Sequence, residues 1–128
     1  MRPSCQGVVS YIASRYACCA EIGVGTFPDV ALALVRRGVT VLATDVKPFE
    51  HNGVEVVCDD IMAPDLSLYA EVDCIYSLRP PPELIPYMAQ LANKVISDLI
   101  VKPLASDYPE GGRLTGRGST AFFLWRSL

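Results

Sequence analysis

The sequence has 128 residues, 51% hydrophobic and 20% charged, with a formal net charge of -3 at pH 7. That length suits one domain spanning 1–128, and the hydrophobic share excludes a disordered chain. The acidic balance argues against bulk nucleic-acid binding, and no apolar run approaches the roughly 18 residues of a spanning helix, so no membrane partner is expected.

The start, "MRPSCQGVV", lacks the apolar centre of a secretory signal, so a cytoplasmic location is expected. "GVVSYIASRYA" (7–17) predicts a short amphipathic helix with Val8, Ile12 and Tyr16 on one face. "CCAEI" (18–22) reads as the first strand, followed by a Glu21-x-Gly23-x-Gly25 turn and a helix ending at Gly38. Thr26 and Asp29 are spaced as a Ser/Thr-x-x-acid cap, Pro28 falls in the first turn, and Arg36 and Arg37 occupy the last.

"TVLATD" (40–45), "VEVVC" (54–58) and "VDCIYSL" (72–78) predict strands two to four. The link "VKPFEHNG" is too short for a full crossover helix. After "RPPP", residues 83–93 read as a helix with Leu84, Met88 and Leu91 on one side, and "SDLIVKPL" (97–104) as the fifth strand. "ASDYPEGG" (105–112) has linker-like composition, and "RLTGRGSTAFFLWRSL" predicts an antiparallel hairpin around a Gly-Arg-Gly-Ser turn.

Alternating strands and helices with continuous apolar strands predict an α/β fold: a three-layer, Rossmann-like, mostly parallel sheet. Right-handed crossovers favour the order 3-2-1-4-5, with the C-terminal hairpin beyond strand five. The five cysteines fit no disulfide framework, and Cys18, Cys19, Cys58 and Cys74 are expected to pack as small hydrophobes in or beside strands. His51, the single histidine, rules out a histidine-rich metal site and is expected on the surface of a polar loop; no metal is expected.

Ligands of such sheets bind outside the carboxyl ends of the strands. Those ends present Glu21 with Gly23 and Gly25, then Asp45, Asp59 and Asp60, then Ser77 and Arg79, and finally Lys102. Gly25 followed 20 residues later by Asp45 is half of a dinucleotide fingerprint. Pro28, however, stands at the third glycine position and lacks the N–H that a pyrophosphate seeks, and Glu21 would repel it. S-adenosylmethionine makes different demands. Its sulfonium and ammonium favour a carboxylate at Glu21, while Gly23 and Gly25 let the backbone approach. Asp45 is suited to the ribose hydroxyls, and Asp60 to the adenine amino group with Ile61 against the ring.

These positions resemble the first three cofactor motifs of class I S-adenosylmethionine-dependent methyltransferases. "EIGVG", "ATDV", "YSLRPPPEL" and "DLIVKPL" together resemble an uncharacterised, mainly archaeal family of small Rossmann-like proteins. The resemblance implies the methyltransferase-like fold and an S-adenosylmethionine cofactor, with no activity attached to the archaeal family. Two departures stand out: Phe27 replaces the third loop glycine, and no substrate-recognition insert is present.

"SLRPPPEL" partly resembles the polar-Pro-Pro-aromatic step of amino-methyltransferases, but Ser77 lies two residues early and no aromatic follows. In a transfer reaction Ser77 or a nearby carbonyl would hold the acceptor, Arg79 would grip an anionic part of it, and Glu83 is the base candidate. Pro80 should hold Arg79 in an extended backbone. Two rival readings stay open: an NAD or nucleotide module, and a non-catalytic structural or regulatory subunit. A small-molecule ligand is expected, with a homodimer or partner subunit as one way to complete the site.

Overall fold

The structure, a computed structural model, describes residues 3–104, 109–116 and 121–127. In chain order its elements are α1 (Pro3–Arg15), β1 (Cys18–Ile22), α2 (Asp29–Arg36), β2 (Thr40–Asp45), β3 (Glu55–Cys58), β4 (Cys74–Leu78), α3 (Ile85–Val95), β5 (Asp98–Lys102), β6 (Arg113–Thr115) and β7 (Phe122–Trp125). One seven-stranded sheet has the order β3-β2-β1-β4-β5-β7-β6. Strands β1 to β5 pair in parallel, and β7 runs antiparallel to both β5 and β6. The expected α/β order and C-terminal hairpin are therefore present, with β1 at the interior position where the topology reverses.

The period of two along each strand sorts the core into two layers. Cys19, Val41, Ala43, Cys74, Tyr76 and Ile100 face one side, where Val8 and Ile12 of α1 and Val30, Ala31 and Leu34 of α2 cover them. Ala20, Ile22, Ile75, Leu99 and Val101 face the other, under Met88 and Leu91 of α3 and the ring of Tyr69. Each covered face removes apolar surface from water at about 25 cal/mol per Å², which drives the layering.

Several local expectations need correction. Helix α1 begins at Pro3 and ends at Arg15, displaced from 7–17. The helix carries Gly7 in its interior at a cost of about 1 kcal/mol, offset by the burial of Cys5, Val8, Val9 and Ile12. The Thr26–Asp29 cap does not form: Pro28 is the N-cap of α2, with no side-chain cap bond. The Phe27 N–H bonds the Val24 carbonyl at 3.2 Å, which puts Thr26 inside a turn instead.

Both the β2–β3 and β3–β4 connections lack an α-helix, the second carrying only a 3-10 turn at Leu66–Tyr69. Strand β4 starts at Cys74, and just before it the Asp73 carboxylate accepts the N–H groups of Ala17 and Cys18. All five cysteines are free; Cys5, Cys19 and Cys74 are buried, but Cys58 is exposed and does not pack as a core residue. Most of the expected Gly-Arg-Gly-Ser turn, and residues 105–108 of the expected linker, lie outside the described residues. Among the described residues no helix is long and apolar enough to cross a membrane.

Candidate functional site

At the carboxyl end of β1, Glu21 and Tyr76 stand opposite each other in register, on the face covered by α1 and α2. The Tyr76 hydroxyl donates to Glu21 Oε1 at 2.7 Å. Glu21 is only 1% exposed. Burial pushes its carboxyl up to about 7, and the bond from Tyr76 opposes that rise only in part. Burial, followed by the neighbouring Glu21 charge, drives the Tyr76 phenol well up as well. No separation along the chain announced this partner.

The glycine turn follows. Gly23 and Gly25 hold φ of +76° and +53°, and a Cβ on either would meet nothing within 4 Å. Glycine is thus required here by the left-handed backbone, and the space above the turn stays open. Gly23 N–H and Val24 N–H both bond the Thr44 carbonyl, at 2.8 and 3.2 Å, tying the turn to β2. Gly25 N–H bonds Asp45 Oδ2 at 3.0 Å. His51 Nε2 meets the Gly25 carbonyl at 2.8 Å, and its ring stacks on Phe49. The expected surface histidine is therefore half-buried against the turn.

The other acids are engaged in different ways. Asp45, half-buried at the end of β2, also accepts the Lys47 N–H on Oδ1 at 3.1 Å. Asp59 accepts the Tyr69 hydroxyl at 2.7 Å and the Asp65 N–H at 3.0 Å. Asp60 is exposed and turns its carboxylate onto the Met62 N–H at 2.9 Å. Ile61 is buried, and Ser77, also buried, donates to the Ile22 carbonyl at 2.8 Å.

Arg79 departs from its expected extended backbone: its φ is +51°. Its N–H bonds the Lys102 carbonyl at 2.6 Å, one step beyond the Leu78–Lys102 pair that closes the β4–β5 ladder. That bond outweighs the preference Pro80 imposes. The Arg79 side chain is exposed, and no ion pair to it occurs among the described residues, so it does not bridge Glu83; Asp107, the other acid considered as its partner, lies outside them. Lys102 Nζ donates to the Ala121 carbonyl at 2.5 Å, and burial lowers its pKa.

Two cavities flank the end of β1. The first, about 340 Å³, is lined by Cys5, Glu21, Gly23, Phe27, Arg79 and Lys102 among others. The second, about 270 Å³, is lined by Gly23, Asp45, Asp59, Ile61, Ser77 and Arg79 among others. Gly23, Leu78 and Arg79 belong to both. Of the predicted site residues, Glu21, Gly23, Asp45, Ile61, Ser77 and Arg79 line one or both cavities, whereas Gly25, Asp60 and Glu83 line neither. Sequence reasoning missed Tyr76, Tyr69 and Cys5. The alternation of β4 puts Tyr76 on the face of Cys74, but only the inter-strand register pairs it with Glu21. Among the described residues no group of three or more His, Cys, Asp or Glu is placed to hold a metal ion.

Comparison with solved structures agrees with this architecture. An S-adenosyl-L-methionine methyl transferase from Silicibacter pomeroyi superposes with a TM-score of 0.57 at 14% identity, covering 97% of this chain and 90% of that one. The 1,6-didemethyltoxoflavin-N1-methyltransferase of Burkholderia thailandensis, solved with S-adenosylhomocysteine bound, gives 0.58 at 15% identity, covering 98% and 60%. At such identities the likeness establishes the methyltransferase fold. In sequence, a UPF0146 protein of Archaeoglobus fulgidus is 38% identical over 121 residues, 93% of each chain. The profile of the Uncharacterised protein family (UPF0146) matches residues 6–127, and the chain belongs to that family.

Proposed function

We propose that residues 1–128 form one cytoplasmic domain that binds S-adenosylmethionine and transfers its methyl group to a small anionic acceptor. The observation that carries the reading is Glu21: a buried carboxyl in a cavity wall, bonded on one oxygen by Tyr76. A cation entering that cavity draws the Glu21 proton off and pairs with the charge. A phosphate set against Glu21 itself would meet a carboxyl, while the cationic side chains of the same lining, Arg79 and Lys102, suit the anionic acceptor.

The remaining donor set fits the same cofactor. Asp45 keeps acceptor capacity beside the open glycine turn, since each carboxylate oxygen accepts two bonds and each uses one. Ile61 offers an apolar wall for the adenine ring. Asp60, turned onto its own loop, is the weakest member, and Asp59 takes its place in the cavity lining. When bound, the cofactor supplies an electrophilic methyl on sulfur. The chain then has to orient an acceptor behind it, and orientation supplies much of the rate. Arg79, shared by both cavities, grips the acceptor's anionic group through two parallel hydrogen bonds. The Ser77 hydroxyl is committed to Ile22, so it buttresses the β4 end.

Phe27 favours a second reading, binding without transfer. It stands in the wall of the first cavity where working enzymes of this fold resemblance carry a glycine, and Glu83 is outside both cavities. Calorimetric titration with S-adenosylmethionine, S-adenosylhomocysteine, NAD and ATP tests the proposal. Binding of the first two alone is expected. Binding of NAD or ATP in their place, or of none, would defeat it.

A further inference from the structure

Charge is unevenly placed along this chain. All 14 acidic residues fall between Glu21 and Glu110, while residues 1–20 and 111–128 carry five arginines and no acid. The described parts of these two ends meet in space at α1 and β7. The Tyr11 ring of α1 packs edge-on against Phe122 of β7, with centroids 4.8 Å apart. Of the five arginines, Arg15, Arg113 and Arg126 are described, and all three lie beside this contact or in the groove next to it.

The groove, of about 290 Å³, lies between α1 and the β6–β7 hairpin and is lined by Tyr11, Arg113, Leu114, Thr115, Leu124 and Arg126. Arg113 pairs with Leu124 in the hairpin register, and Arg126 lies two residues beyond, on the same face of the sheet. Both side chains are exposed, and no ion pair or hydrogen bond to either guanidinium occurs among the described residues. A third arginine borders the groove: the Arg15 guanidinium lies over the Tyr11 ring, 4.0 Å from its centroid. Its stacking on Tyr11 and its bond to Ser14 Oγ at 3.0 Å restrain its orientation. Among the described residues no acid lines this groove.

Asp98, across from Arg126 one step beyond the Leu99–Trp125 pair, is engaged by the Tyr16 hydroxyl and the Ser127 N–H, so it forms no ion pair with Arg126. The two arginines repel each other, which costs stability and is offset when an anion sits between them. The groove is also separate from the cofactor cavities. Tyr11 is about 9 Å along α1 from Cys5, at 1.5 Å rise per residue.

We infer that this groove binds phosphate groups of a ligand distinct from the cofactor. Two guanidinium forks converging on one groove suit a tetrahedral group with several acceptor oxygens better than a single carboxylate, which one fork satisfies. The phosphate comes either from a nucleic-acid strand or from a small phosphorylated metabolite, and the two differ in salt response.

The test uses the full chain at 50 mM salt, with three probes: a fluorescein-labelled 12-mer single-stranded RNA, AMP, and poly-glutamate as a carboxylate control. Saturable binding of RNA or AMP is expected, weakened at least tenfold in R113E/R126E and by less in R113K/R126K. If RNA binds with a steep salt dependence and AMP does not, the source is a strand; if AMP binds, it is a small ligand. S-adenosylmethionine titration and thermal unfolding of R113Q/R126Q check that the fold and the cofactor cavities are untouched. The inference is overturned if neither phosphate probe binds, if poly-glutamate binds equally well, or if the R113E/R126E change leaves binding as it was.

Discussion

The two cavities beside β1 share a wall but use their polar groups in opposite ways. In the second, Asp45 and Asp59 accept backbone or tyrosine donors, and Ser77 donates to a carbonyl. Those groups hold loops in place. In the first, the buried Glu21 has a single bond, from Tyr76; Arg79, at the wall the two cavities share, has no ion partner among the described residues. The first cavity holds charge in reserve at a cost to stability, and the second spends its charge on the architecture. The difference separates residues whose loss should weaken the fold from residues whose loss should strengthen it.

Glu21 gives the largest expected effect. Its folded pKa of about 7 lies above the ordinary 4.5. Between those values the native state holds a proton that the unfolded chain has lost, so stability falls as pH rises through this window. It levels off above about 7. The cost approaches about 3 kcal/mol at pH 8. Glu21→Gln keeps an oxygen for the Tyr76 hydroxyl and removes the buried charge. The variant should be more stable than the wild type at pH 8 and nearly equal at pH 4.5, as read by urea unfolding. It should also lose about ten- to a hundredfold in affinity for S-adenosylmethionine and less for S-adenosylhomocysteine, whose neutral thioether leaves only the ammonium to pair with Glu21. Wild-type affinity for the sulfonium should improve with pH up to about 7. A variant less stable at pH 8 would show that Glu21 is held by more than Tyr76.

Sequence made the strand order and two-layer core legible because both rest on local alternation. Val8, Ile12, Met88 and Leu91 are buried as their spacing predicts. The site was legible in its positions and opaque in its bonds. Glu21 and Tyr76 are 55 residues apart, and His51 meets a carbonyl 26 residues away. No periodicity encodes such pairs; they follow from register between strands. The left-handed Arg79 was opaque for a related reason, since its backbone is set by a carbonyl on β5 and not by its own neighbours.

Asp45 tests the second cavity. Strand-end carboxylates are ordinarily dispensable to folding, but this one bridges the glycine turn of β1 to the start of the β2–β3 link. Asp45→Ala should cost about 2 kcal/mol of stability through two lost charge-assisted bonds. Cofactor affinity should fall about ten- to a hundredfold as the ribose acceptor is lost and Gly25 is released. Asp45→Asn, which retains one acceptor oxygen, should recover part of the stability and little of the affinity. If alanine left stability unchanged, the bonds to Gly25 and Lys47 would contribute nothing net. The contrast between the cavities would then fail.

Arg79 gives the smallest change in stability and the sharpest division between fold and function. A non-glycine residue at φ +51° before a proline is strained by about 1 kcal/mol or more. Glycine relieves that strain but enlarges the entropy of the unfolded chain, by about 0.4–1 kcal/mol. Arg79→Gly should therefore leave stability unchanged or raise it by up to about 1 kcal/mol. Arg79→Lys, which keeps the strain and the charge, should leave it alone. Both should weaken an anionic acceptor, because neither restores the paired hydrogen bonds of a guanidinium, and both should leave cofactor affinity intact. A structural Arg79 that braces the Pro80–Pro82 loop predicts the reverse. Both variants would then melt lower, and neither would alter any ligand's binding. Chemical denaturation of the two variants beside the wild type decides between these outcomes before any acceptor is identified.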